Sequence, residues 1–138
     1  LGCPVGSLLV GDQNFISSSR RIRKVMGGGM RQAGILASAG IYALDNNISQ
    51  LKVDNDNAKR IGAMLSNCKF VEEVLPVKTN IIIFTLKETL SVEGLLAELK
   101  ENLIFATAFG NNSIRFVLHR DVTEEMVERL IQFIKHKT

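Results

Sequence analysis

The sequence predicts an α/β chain in two parts, the end of a larger layered domain followed by a small α+β domain with an antiparallel sheet. Three observations carry that expectation. A glycine-bounded apolar run at residues 5–11 is followed by a helix that is apolar nearly all round, the pattern of elements buried on several sides. From about residue 69 the pattern changes to short strands alternating with amphipathic helices. Gly110-Asn111-Asn112, residues that tolerate positive φ, then joins two apolar runs as a hairpin.

Each element has its own signal. Val5, Leu8, Leu9 and Val10 read as a strand buried on both faces, and no comparable parallel partner follows, so the expected sheet lies upstream. Asp12 caps a helix running through Phe15 and Ile16 toward Arg23, and Gly27-Gly28-Gly29 ends it, because glycine is costly in a helix interior. Residues 30–44, rich in Ala, Gly, Ile and Leu, predict a helix buried on several sides. Asn46 and Asn47 interrupt it, after which Ile48, Leu51, Ala58, Ile61 and Leu65 recur at helical spacing on an amphipathic surface helix. Strands are expected over 70–77, 80–86, 104–108 and 113–118, with helices over 91–100 and 123–135. Asp121 or Thr123 caps the last helix, whose buried face is predicted to be Met126, Leu130, Phe133 and Ile134. The domains expected are thus 1–47, a connecting helix over 48–68, and 69–138.

Composition narrows the function. The 138 residues are 46% hydrophobic and 22% charged, enough apolar material for a core. No apolar run approaches the roughly 18 residues of a membrane span, so no membrane partner is expected. Cys3 and Cys68 lack metal-ligand spacing and read as free thiols of a reducing, cytoplasmic compartment. The net charge of +3 is modest, and Arg20, Arg21, Arg23 and Lys24 cluster with Arg31 close behind. The cluster has no interleaved aromatics, which argues against a nucleic-acid partner and leaves a solvated face or a subunit contact.

Three constellations bear on chemistry. Gly27-Gly28-Gly29 lacks the lysine of a P-loop and the spacing of a dinucleotide fingerprint, yet a glycine segment between Lys24 and Arg31 could cradle an anion as well as serve as a plain hinge. Arg115 stands among strand apolars and requires a partner, either a structural carboxylate or a ligand's. His119 and His136 have no Asp, Glu or Cys at metal or triad spacing, so no metal is expected.

Leu1-Gly2-Cys3-Pro4-Val5-Gly6-Ser7, Arg23-Lys24 ahead of Gly27-Gly28-Gly29-Met30-Arg31-Gln32, and the Ala-rich helix to Tyr42-Ala43-Leu44 resemble the low-specificity L-threonine aldolases. The match continues more generally to the last helix, with Ile114-Arg115 and Asp121-Val122 its marked points. The resemblance implies the aspartate aminotransferase fold, fold type I, with pyridoxal 5'-phosphate as cofactor. It implies cleavage of L-threonine or L-allo-threonine to glycine and acetaldehyde in a homo-oligomer, dimer or tetramer. In the family the Schiff-base lysine of a Ser-Lys-Gly directly precedes the position of Leu1, so no catalytic residue is assigned in this chain. The expected partner is the upstream part of the same protein, without which these residues should be inactive. By the same resemblance Arg115 binds the substrate's α-carboxylate, and Arg31 and Lys24 bind the cofactor, with Arg31 toward its phosphate. Two other readings stand beside it: a β-eliminating lyase of the same fold acting on aromatic amino acids, and a non-enzymatic module binding an anion or RNA.

Overall fold

The computed structural model describes residues 1–137. The chain divides into two compact units, Leu1–Ile48 and Ser49–Thr138.

The first unit holds α1 (Gln13–Val25) and α2 (Ala33–Asn46). Asp12 caps α1 as expected, its side chain accepting from the Phe15 N–H at 2.8 Å. Arg23 and Lys24 sit in the last turn, where cations complement the negative end of the helix. Two expectations fail. Residues 5–11 form no strand: Leu8 is 84% and Val10 89% exposed. An apolar run becomes a strand only where neighbours take its N–H and C=O groups, and every strand of the sheet comes from the second unit. In α2, which starts at Ala33 and not at Met30, only Ala43 is buried, and Ile35 is 75% exposed. All-round apolarity records what a helix could bury against; it does not supply the covering layer.

The second unit has a core of its own. α3 (Ile48–Leu65) leads into it, followed by β1 (Val71–Val74), β2 (Ile81–Leu86), α4 (Val92–Glu101), β3 (Thr107–Phe109), β4 (Ser113–Val117) and α5 (Glu124–Lys137). The strands form one antiparallel sheet in the order β1-β2-β4-β3. Its inner face carries Ile82, Phe84, Leu86, Ile114 and Phe116, with the Phe84 and Phe116 ring centroids 5.2 Å apart. Against it lie Ala58, Ile61 and Leu65 of α3, Val92, Leu95 and Leu99 of α4, and Val127, Leu130, Ile131 and Ile134 of α5. All three helices therefore cover one face of the sheet. The approach of α3 is close, since a Cβ on Gly62 would stand 2.7 Å from Val77 Cγ2.

Two strand boundaries and one buried face depart from expectation. β1 and β3 are shorter than the apolar runs that announced them, and β3 lies later, at Thr107–Phe109. Both are edge strands, where pairing on one side limits their length. Met126 is half exposed; the buried stripe of α5 is Val127, Leu130, Ile131 and Ile134, an i, i+3, i+4, i+7 set from which Met126 stands about 100° away. The hairpin over Gly110 forms as expected, with Gly110 at φ 67°. Thr123, not Asp121, caps α5 by accepting from the Met126 N–H at 3.3 Å.

Candidate functional site

In the first unit the cations gather at the end of α1 and the turn before α2. Gly27 has φ +81°, its N–H donates to the Lys24 carbonyl at 3.2 Å, and the Gly28 N–H donates to the Arg23 carbonyl at 2.8 Å. This paired closure is a Schellman motif, which explains two of the three glycines. It also corrects the anion cradle in one respect. The Gly27 and Gly28 amides are engaged by helix carbonyls, so they are not free to bind phosphate.

Gly29 differs from its neighbours. A Cβ there would stand 3.0 Å from Lys24 Nζ, so the ammonium lies along bare backbone at that residue. Arg31 is exposed in the turn that opens α2. The next residue, Gln32, takes left-handed backbone at φ 52° and makes no side-chain cap bond. The positive end of α2 and the Arg31 guanidinium therefore act in the same sense on any nearby anion. No ion pair among the described residues involves Lys24, Arg31 or Arg115.

In the second unit Arg115 sits at the middle of β4. Side chains alternate across a strand, and Ile114 and Phe116 point into the core, so Arg115 projects from the face that no helix of its unit covers. It pairs across with Ile83 of β2 on one side and Thr107 of β3 on the other. Its Nε is buried and has no hydrogen-bond partner among the described residues. The sequence left a choice between a structural carboxylate and a ligand's. Within the described residues no structural carboxylate takes the part.

The other polar residues of that face include Glu73 of β1, which pairs across with Thr85 of β2. Thr85 and Ser113, paired across β2 and β4, hydrogen-bond to each other at 3.0 Å. Sequence reasoning missed this neighbourhood because the expected strand over 104–108 carries no register of its own, and only its pairing with β4 sets Thr107 opposite Arg115. In the structure Ile104 and Ala106 pack on the core while Phe105 is 76% exposed, an alternation that carries Thr107 and Phe109 onto the face of Arg115.

Elsewhere the titratable groups serve structure. Arg60 of α3 pairs with Glu124 and Glu128 of α5, and Asn57 donates to Glu124 at 3.2 Å. Hydrogen bonds from Arg60, then from Asn57, hold the Glu124 carboxyl below its ordinary value. His119 stands 3.6 Å from Asp121 with both side chains exposed, and His136 Nδ1 lies 2.7 Å from the Gln132 carbonyl. No group of three or more His, Cys, Asp or Glu among the described residues is placed to hold a metal ion. The Cys3 thiol donates to the Ala39 carbonyl at 3.6 Å, and the buried Cys68 thiol donates to the Met64 carbonyl at 3.3 Å. Among the described residues no helix is long and apolar enough to cross a membrane.

The family model for beta-eliminating lyases matches residues 1–89. Low-specificity L-threonine aldolase 1 of Arabidopsis thaliana is 38% identical over 126 residues, 89% of this chain and 35% of that protein. The low specificity L-threonine aldolase of Escherichia coli is 41% identical over 128 residues, 92% of this chain and 37% of that protein. The chain thus spans little more than a third of these curated relatives. Among solved structures, a C-DES mutant with glycine covalently linked to its PLP cofactor superposes with a TM-score of 0.58 at 17% identity, over 77% of this chain and 29% of that one. Ornithine aminotransferase of Plasmodium yoelii gives 0.53 at 20% identity, over 75% and 30%. The likeness to these two is one of fold, the one expected from the sequence. With its first 89 residues matched by the family model and its fold shared with pyridoxal-phosphate enzymes, the chain belongs to the beta-eliminating lyase family.

Proposed function

We propose that these residues are the C-terminal portion of a pyridoxal-phosphate-dependent threonine aldolase that cleaves L-threonine and L-allo-threonine to glycine and acetaldehyde. The relatives named for that activity support it. The observation that carries it is Arg115, a cation on an uncovered sheet face with a buried Nε and no carboxylate of its own. A guanidinium matches a carboxylate in two parallel hydrogen bonds, so the substrate's α-carboxylate completes what the fold leaves open.

The cofactor reading also has a physical basis. Among the described residues Lys24 and Arg31 lack carboxylate partners, and the positive end of α2 beside Arg31 has no side-chain cap, so these residues fit a phosphate dianion. When bound, pyridoxal phosphate supplies the electron sink for breaking the bond between Cα and Cβ. Lys24 and Arg31 hold and orient its phosphate in this reading, and Arg115 fixes the amino acid by its carboxylate. The exposed apolar residues of the first unit, among them Leu8, Val10, Ile35 and Ile41, are the contact surface for the rest of the same protein and for a second copy in a dimer or tetramer.

The test is Arg115→Ala in the intact protein. Loss of a charge-assisted contact worth about 2–3 kcal/mol lowers kcat/KM for threonine by about 30- to 150-fold while the cofactor stays bound. A variant with wild-type kcat/KM overturns the carboxylate assignment. Product analysis tests the reaction itself, because retro-aldol cleavage gives glycine and acetaldehyde, whereas β-elimination gives pyruvate and ammonia.

A further inference from the structure

Arg115 has two direct cross-strand neighbours on the uncovered face of the sheet. Ile83 is apolar and offers no hydrogen bond. Thr107 is exposed on edge strand β3, and its hydroxyl makes no hydrogen bond among the described residues. Directly opposite residues in an antiparallel pair bring their Cβ atoms to about 5 Å. The two other hydroxyls nearby, on Thr85 and Ser113, engage each other at 3.0 Å, and Phe109, opposite Ser113, is apolar. Of the hydroxyls around the guanidinium, that of Thr107 alone remains unengaged among the described residues.

We infer that Thr107 is a second contact for the substrate's carboxylate: its O–H donates to one carboxylate oxygen while the Arg115 guanidinium donates to the group from the other side. The proposal rests on the carboxylate role of Arg115 and adds a specificity-determining residue to it. A guanidinium alone attracts any small anion. A neutral donor fixed at one side selects the orientation in which the carboxylate plane spans β4 and β3, which sets the direction in which the rest of the amino acid leaves the sheet. Thr107 suits the task because a β-branched side chain on a strand has little rotamer freedom, so its hydroxyl is held at small entropic cost.

The test uses the intact protein loaded with cofactor, with glycine as the probe, titrated by the change in cofactor absorbance. Thr107→Val keeps the shape and removes the donor, and weakens glycine binding about tenfold, as loss of a hydrogen bond to a charged group does. Thr107→Ser restores the donor and returns the dissociation constant to within about twofold of wild type. Melting temperature separates a structural role, since the proposal leaves it unchanged in both variants. Wild-type glycine binding in Thr107→Val, with binding lost in Arg115→Ala, overturns this proposal and leaves the arginine's role standing. Wild-type binding in Arg115→Ala overturns both. A lowered melting temperature in Thr107→Val that Thr107→Ser does not repair makes Thr107 a packing residue and also overturns the proposal.

Discussion

At the scale of single residues, the positive charges of this chain fall into groups that the total of +3 conceals. Arg60 is tied to two carboxylates, Lys52 to Asp56 and Lys137 to Glu98, while Lys24, Arg31 and Arg115 have no acidic partner among the described residues. Arg20 and Arg21 are exposed on α1 and read as solvated cations worth little individually. The phosphate assignment for Arg31 therefore predicts an unequal response. Arg31→Ala raises the dissociation constant of pyridoxal phosphate from the intact protein by about tenfold, as loss of a charge-assisted contact does, and Arg20→Ala leaves it unchanged. Titration of the apoenzyme measures both; equal affinities in Arg31→Ala and wild type overturn the assignment. Arg115 was legible in the sequence because a cation inside an apolar strand demands an explanation. Thr107 was not, since a threonine in a short edge strand carries no signal until register sets it opposite that cation.

At the scale of elements, α3 and α5 are joined by more than their apolar stripes. Arg60 reaches Glu124 at 2.6 Å and also contacts Glu128, while Asn57 adds its hydrogen bond to Glu124. Since the folded Glu124 carboxyl is held below its ordinary value, its contribution to stability is fully present above the unfolded pKa. It is lost as pH falls through the carboxylate range, about 4–5, toward the lower folded value. Glu124→Gln should thus denature at lower urea than wild type at pH 7, with the two midpoints converging as pH falls below the carboxylate range. A gap of constant size across that range would show that the tie is not electrostatic. The elements themselves were legible to different degrees. Asp12 announced one helix start and the choice of Asp121 or Thr123 another; Asp12 and Thr123 each cap their helix by accepting a backbone N–H, as Ser91 does for α4. The hairpin at Gly110 was equally plain. Residues 5–11 were misread because a periodic or continuous apolar pattern states a preference for burial, and strand formation depends on a partner that local sequence does not contain.

At the scale of the whole molecule, apolar residues are spread along the entire chain, but the core is not. Every member of the buried cluster lies between Ala58 and Ile134, and in the first unit the buried residues are Ala43 and Asn47. α1 and α2 keep their helical hydrogen bonds while most of their apolar side chains stay in water. That unevenness has a calorimetric consequence. The heat absorbed on unfolding and the accompanying rise in heat capacity follow the surface newly given to solvent, and the first unit has little left to give. At about 0.7 kcal/mol per residue, 138 cooperatively folded residues would absorb about 95 kcal/mol near 60 °C, whereas Ser49–Thr138 alone would absorb about 60 kcal/mol. Scanning calorimetry of this chain should find the smaller value, with a heat-capacity step of about 1.1–1.3 kcal/mol/K, and a single transition near the larger value would contradict it. Circular dichroism at 222 nm would then lose the signal of α1 and α2 gradually, outside the heat peak, because helices without a packed face melt residue by residue and not as one body.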